Sequence, residues 1–289
     1  MASTIALKQR IKSVKGTRQI TKAMQLVSAS KMRRAQDSAL KSRAYRDVAY
    51  ELLSRLNTVR EVAREPLYKE RPVKTKLYVI ITSNSGLAGA YNANTLKVLF
   101  KAVKENQAEG VATRVIAIGN RGAQFVRRIA NVELVAVYSA LGDHPSANDL
   151  RPTLNTIIEE YKAETIDSVE IIYTNFKSNL VQVATTIQLL PATTPEINEV
   201  VGSPAVTFEP DVETVIEQIT TRLIEAQIWQ AVLESLASEH SMRMIAMKNA
   251  TDNAKDLIDD YTLELNTARQ ASITQELAEI TGGAEALNG

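Results

Sequence analysis

Apolar residues recur at three- and four-residue spacing over the last quarter of the chain: Val212, Ile216, Ile219, Leu223, Ala226, Gln230, Leu233, Ala237, His240, Met244, Met247, Thr251, Ala254, Ile258, Tyr261, Leu265, Ala268 and Ser272. Fourteen of these 18 positions are apolar, a sustained heptad signal that predicts a coiled coil. Neither Gly nor Pro interrupts Asp211–Thr281. A continuous helix of that length would span roughly 105 Å. Pro210 precedes Asp211 and Glu213, whose negative charge suits a helix N-terminus. A thinner stripe runs along the first 65 residues: Leu7, Ile11, Val14, Thr21, Ser28, Met32, Ala35, Ala39, Ala49, Leu53 and Leu56. Gly16 is the only glycine there, and Pro66 is the first proline. The small residues in its middle admit a close partner helix. So thin a seam needs such a partner, and antiparallel pairing with the C-terminal stretch supplies one. The pattern predicts a two-helix rod whose chain ends meet far from the middle of the sequence.

Between the helices the period changes. Residues 66–75, with Pro66 and Pro72, read as a linker, after which strand-like and helix-like segments alternate. Lys76–Thr82, Arg114–Ile118 and Val132–Tyr138 are predicted strands, each followed by a predicted helix, near Asn92–Asn106, Asn120–Ala130 and Asn148–Ala163. Ser168–Thr174 and Leu180–Leu189 read as two further strands joined by the turn Asn175–Asn179. This alternation predicts a mostly parallel sheet with helices on both faces and an antiparallel edge. Residues 190–210 hold Pro191, Pro195, Pro204 and Pro210 and read as the linker back to the rod. The expected division is 1–65, 66–210 and 211–289.

Charge sharpens this picture. The 289 residues carry 34 Lys and Arg against 33 Asp and Glu, a net of +1. Residues 1–60 hold 14 basic and 3 acidic residues, whereas 209–289 hold 5 basic and 15 acidic. A basic first fifth alone would suggest nucleic acid. The matching acidic end favours mutual attraction of the two helices instead. Hydrophobic residues at 45% and charged residues at 23% argue against wholesale disorder. The absence of Cys excludes disulfides, zinc–cysteine sites and thiol catalysis. Apolar runs such as Leu77–Ile81 and Val115–Ile118 are far shorter than the roughly 20 residues a membrane span needs. The basic N-terminus lacks the apolar segment of a secretory signal, so a soluble intracellular chain is expected.

Candidate chemistry is thin. The segment Ser83–Gly89 sits between a predicted strand and helix, where phosphate loops occur, but lacks both the G-x-G-x-x-G spacing and a Gly-Lys-Ser/Thr ending. Gly119–Gly122 occupies the same kind of position; both read as tight turns. His144 lies beside Asp143 and Pro145 with no second His nearby, and His240 falls on the heptad stripe. Asp256, Asp259 and Asp260 read as a solvated helix face, and Met242, Met244 and Met247 as seam packing. No nucleophile–base–acid set emerges, so no catalytic residue, cofactor or metal site is expected. Two alternatives stay open at this point: a coiled-coil adaptor that spaces a docking domain, and a small α/β enzyme with a ligand site near Ser83–Gly89.

Four segments carry a family resemblance. Arg10–Gln36 resembles the N-terminal helix of F-type ATP synthase gamma subunits, and Arg269–Ala284 is similar to that family's C-terminal signature. Arg243–Asn253 and Ile81–Asn92 also match, so the resemblance covers the whole chain in order. The chain lacks the cysteine-bearing insertion of chloroplast-type members, which points to the bacterial type. The resemblance implies α/β plus coiled coil: a long antiparallel two-helix coiled coil from the terminal segments with a central Rossmann-like α/β domain. It implies a non-catalytic rotary central stalk that couples proton flow to ATP synthesis and hydrolysis. The implied partners are three alpha and three beta subunits, epsilon and the c-ring. The implied location is peripheral, on the cytoplasmic side of the inner (plasma) membrane. By the same resemblance, Met24, Arg243, Arg269, Gln270, Thr274 and Glu276 would contact alpha and beta. Leu277, Ile280 and Leu287 would lie in an apolar bearing at the tip.

Overall fold

The computed structural model describes the backbone of residues 4–56, 65–139, 142, 145–193 and 212–288, and the side chains of these except 43–47, 49–56, 147, 212–213 and 285–288. Two long helices bracket the chain, α1 (Thr4–Leu56) and α5 (Val212–Asn288). Gly282 and Gly283 lie inside α5 and do not end it. Between them come β1 (Thr75–Ile81), α2 (Tyr91–Glu109), β2 (Ala112–Ile118), α3 (Asn120–Val126), β3 (Val132–Tyr138), α4 (Arg151–Lys162), β4 (Ser168–Phe176) and β5 (Gln182–Leu190). The expected element types therefore hold, with boundaries moved by a few residues. Between the long helices the largest change is α3, which stops at Val126 where the sequence pattern ran on to Ala130. Residues 143 and 144 and most of the proline-rich 190–210 segment (194–210) lie outside the described residues.

The chain forms two compact units, one of residues 1–28 with 243–289 and one of residues 29–242. In the second, five strands make one sheet in the order β3-β2-β1-β4-β5. β1 pairs in parallel with β2 and β4, β2 with β3, and only β5 runs antiparallel, against β4. The period-2 alternation of β1 decides which face each side chain serves. Leu77, Val79 and Ile81 join Leu154, Ile157 and Tyr161 of α4 and Ile224, Ile228 and Val232 of α5 in one core. Tyr78 and Ile80 face the opposite way and pack with Leu99 and Val103 of α2 and Ala123 and Val126 of α3. Helices thus cover both faces, which is why β1 reads as one continuous apolar run.

Arg71 ties the entry of this unit together. Its guanidinium sits 3.0 Å from an Asp167 carboxylate oxygen, donates to the carbonyls of Tyr161 and Ile166, and lies 4.4 Å from the Tyr161 ring centroid. The other Asp167 oxygen accepts the backbone N–H groups of Lys74 and Thr75 at 2.8 and 2.9 Å, where the chain turns into β1. Burial works to raise the Asp167 pKa. The two backbone N–H groups and Arg71 outweigh it and hold the carboxyl below its ordinary 3.8. A carboxyl with a lowered folded pKa stabilises fully above its unfolded value and loses that contribution as pH falls through the folded one. Asp167→Asn is therefore expected to lower the urea midpoint at pH 7, with the gap to wild type closing as pH drops below 3.8. A gap that stays constant from pH 7 to pH 2 would sink this assignment.

Candidate functional site: paired terminal helices and capped turns

In the unit of residues 1–28 and 243–289, α1 and α5 run antiparallel. The Thr251 hydroxyl lies 2.8 Å from that of Thr21, and Arg10 lies 5.9 Å from the ring centroid of Tyr261, so positions rise along one helix as they fall along the other. The Thr21 hydroxyl donates to the carbonyl of Arg18, leaving its lone pairs for Thr251, and the Thr251 proton is shared with the Met247 carbonyl at 2.7 Å. Leu7, Thr21 and Ser28 of α1 and Met247, Thr251, Ala254 and Ile258 of α5 form the buried seam. These are positions of the two predicted stripes. Small and hydroxylated side chains keep the helices close, as the composition of the thin stripe implies. Lys15, Arg18 and Lys22 of α1 line one groove with Asp252 and Lys255 of α5.

The seam ends before α5 does. Tyr261, Leu265 and Ala268 are half-buried, and every residue from 269 to 284 is exposed. Arg269, Gln270, Thr274 and Glu276 therefore project from helix surface, with the Thr274 hydroxyl bonded to the Gln270 carbonyl and Glu276 accepting from Ser272. Leu277 and Ile280 are 59% and 69% exposed, a large apolar area to leave in water on one helix end. The Leu287 side chain lies outside the described residues. Arg243 differs from its sequence companions, being only 8% exposed, and Met24 is half-buried beside exposed Lys22. The structure thus brings Arg269–Ile280 together as one free surface and sets Arg243 apart from it.

The turn that opens α3 is bonded by the chain itself. The first N–H groups of α3 point at oxygens from the loop after β1: Asn120 donates to the Asn84 side chain at 3.1 Å, Arg121 to the Ser83 carbonyl at 3.1 Å and Gly122 to the Thr82 hydroxyl at 2.8 Å. Ser83 is in turn held through both its N–H and its hydroxyl by Asn92 of α2. Helix N-terminal N–H groups attract anions because they lack intrahelical partners. Here those partners exist at α3, supplied by residues 82–84. Tyr78 is equally unsuited to proton transfer, since burial, with Glu170 nearby, pushes its hydroxyl up to about 12 while Asn106 donates to it. No cluster of three His, Cys, Asp or Glu able to hold a metal ion occurs among the described residues. None of the described helices is long and apolar enough to cross a membrane. Asp256, Asp259 and Asp260 are exposed, as a solvated face requires, and His240 is buried on the stripe.

One feature of α5 escaped the heptad reading. In the unit of residues 29–242, the stripe positions Leu223, Ala226, Leu233 and Ala237 are buried, but so are Ile224, Ile228, Ala231 and Val232, which join the sheet core. A helix that is apolar on several sides is buried on several sides. The four-residue spacing Ile224, Ile228, Val232 carried that signal in the sequence.

An antiparallel helix pair with an exposed end and a five-stranded, mostly parallel sheet covered by helices define a mixed α/β protein with long terminal helices. The chain belongs to the ATP synthase family, whose model matches residues 3–287. It is 41% identical to the ATP synthase gamma chain of Herpetosiphon aurantiacus over the full length of both, and 38% identical to that of Acidithiobacillus ferrooxidans over 99% of this chain and all of that one. Among solved structures, its fold is similar to a chain of the Euglena gracilis mitochondrial ATP synthase in an OSCP/F1/c-ring assembly, with a TM-score of 0.68 and 18% identity over 98% of this chain and 94% of that one.

Proposed function

We propose that the chain is the rotary central stalk of an F-type ATP synthase and performs no bond chemistry itself. The observation that carries this reading is its end-to-end kinship with gamma chains at about 40% identity. In this reading residues 1–65 and 211–289 are the shaft and residues 66–210 the foot. Three alpha and three beta subunits surround the shaft, and epsilon and the c-ring meet the foot. The chain reaches the cytoplasmic face of the inner membrane only through that complex. Rotation of an asymmetric shaft opens and closes each beta site in turn, so proton flow drives ATP synthesis without the stalk touching nucleotide.

A shaft that passes three similar partners needs contacts that form and break, which argues against one large, tight interface. Exposed hydrogen-bonding groups on a stiff helix meet that need. Arg269, Gln270, Thr274 and Glu276 are assigned to stator contacts in this way, with Met24 and Arg243 further down the shaft. Leu277, Ile280 and Leu287 are assigned to an apolar bearing, where non-directional attraction permits turning. Filled anion sites at α3 support the non-catalytic role. The test is removal of residues 270–289 in the reconstituted complex. Torque in a single-molecule rotation assay is expected to fall while the complex still assembles. Unchanged torque would refute the contact assignment, and failure of the full-length chain to assemble with alpha and beta subunits would refute the stalk reading.

A further inference from the structure

β1 leaves the sheet before β4 does. The last register pair between them is Ile80 with Ile172, yet β4 continues to Phe176. Thr174 is 1% exposed, and its N–H and C=O face an edge with no strand opposite. Buried backbone groups of this kind are almost always paired. Here α5 pairs them. The Thr174 N–H donates to the Ser235 hydroxyl oxygen at 3.1 Å, and the Ser238 hydroxyl donates to the Thr174 carbonyl at 3.2 Å. One turn further along, the Ser241 hydroxyl donates to the Asn179 carbonyl at 3.1 Å and accepts the Gln182 side-chain amide at 3.2 Å. Gln36 of α1 reaches the same turn, donating to the Asn179 side chain at 3.1 Å. All three serines are fully buried and stand at three-residue spacing on one face of the helix.

α5 also packs on the sheet core through the apolar Ile224, Ile228, Ala231 and Val232. Apolar contact is strong but non-directional, so it holds the helix down without setting its rotation or its position along the strand. Hydrogen bonds weaken steeply when bent or stretched, so they do set both. We infer that Ser235, Ser238 and Ser241 form a joint that locks α5 in register on the end of β4 and the β4–β5 turn, and that this joint keeps the shaft helix from slipping against the sheet under torque. The inference rests on the stalk reading above. These serines are positioning residues: fully buried within this chain, they act by fixing where α5 sits.

The test uses the full chain in the reconstituted complex, with Ser235→Ala/Ser238→Ala/Ser241→Ala as the principal variant. Hydrogen exchange across residues 169–182 reads the joint directly, and Thr174 is expected to exchange about tenfold faster or more once its partners are gone. ATP hydrolysis without an opposing gradient is expected to be unchanged. The largest proton gradient that ATP hydrolysis can sustain in vesicles is expected to fall, because slip matters only under load. Ser241→Ala alone, which removes one carbonyl partner, gives a milder form of the same loss if the triple variant folds poorly. Asn106→Ala is the control, since it removes buried bonds to Tyr78 and Thr113 away from α5 and should leave the sustained gradient intact. A triple variant that sustains the wild-type gradient overturns the joint, as does an Asn106→Ala chain that loses just as much. A wild-type chain that fails to couple hydrolysis to pumping at all overturns the stalk reading instead.

Discussion

Ala254→Pro is expected to abolish coupled ATP synthesis in the assembled enzyme. Ala254 is 5% exposed and lies between Thr251 and Ile258 on the α5 seam. Proline there removes the N–H that bonds to the carbonyl of Ala250 and drives its ring into that same carbonyl, costing about 3 kcal/mol or more. Surface helix positions can bend away from such a clash. This one cannot, because the seam on that face is held by Thr21 and the thin α1 stripe. A kink here redirects everything beyond it, and the exposed Arg269–Ile280 surface would no longer follow the shaft axis. The check is ATP synthesis in membranes carrying the variant, alongside circular dichroism of the purified chain. Loss of synthesis with retained assembly is the expected pattern; normal coupled synthesis would count against both the continuous helix and its role.

Gly119→Ala carries the second large effect, this time on stability. Gly119 has φ +101°, and a Cβ there would sit 2.1 Å from the Thr82 carbonyl oxygen and 2.9 Å from its hydroxyl. The Thr82 carbonyl is backbone at the end of β1, fixed by the Thr82 N–H bond to Ile118 at 2.8 Å, so it has nowhere to retreat. Backbone strain and overpacking together put the loss at about 3 kcal/mol or more. Gly110 gives the contrast. Its φ is +73°, but a Cβ would meet nothing within 4 Å, so Gly110→Ala incurs only the left-handed penalty of about 1 kcal/mol. Urea midpoints of the two variants separate steric from conformational demand. Equal shifts would show that the close approach of Thr82 is not what requires glycine at 119.

The candidate site was legible in the sequence where it depends on local pattern. The seam residues Leu7, Thr21, Ser28, Met247, Thr251, Ala254 and Ile258 were all named by spacing alone, because a 3.5-residue repeat marks one face of any helix whatever it packs on. The burial of Arg243 was not legible. An arginine four residues from Met247 reads as surface until the packing around it is known. Nor did Ser235, Ser238 and Ser241 stand out, since serines at three-residue spacing on a helix acquire meaning only when a strand end lacks partners opposite them.

What the sequence by itself determined was the inventory: two unbroken terminal helices, a basic one and an acidic one, around a βα alternation. Helix continuity needs only the absence of breakers, and strand identity needs only a run of branched apolar residues, both of which are written locally. The tertiary structure alone decided the rest. It set the order β3-β2-β1-β4-β5 and gave α5 a second buried face. It also turned the loop after β1 onto the N-terminus of α3, where its oxygens take the first N–H groups of that helix. Those outcomes depend on which edge each strand finds and which backbone groups are left unpaired when a neighbour ends. The pairings of β1 with β2 and β4, and of residues 82–84 with α3, join residues more than 30 positions apart, and no local spacing encodes them.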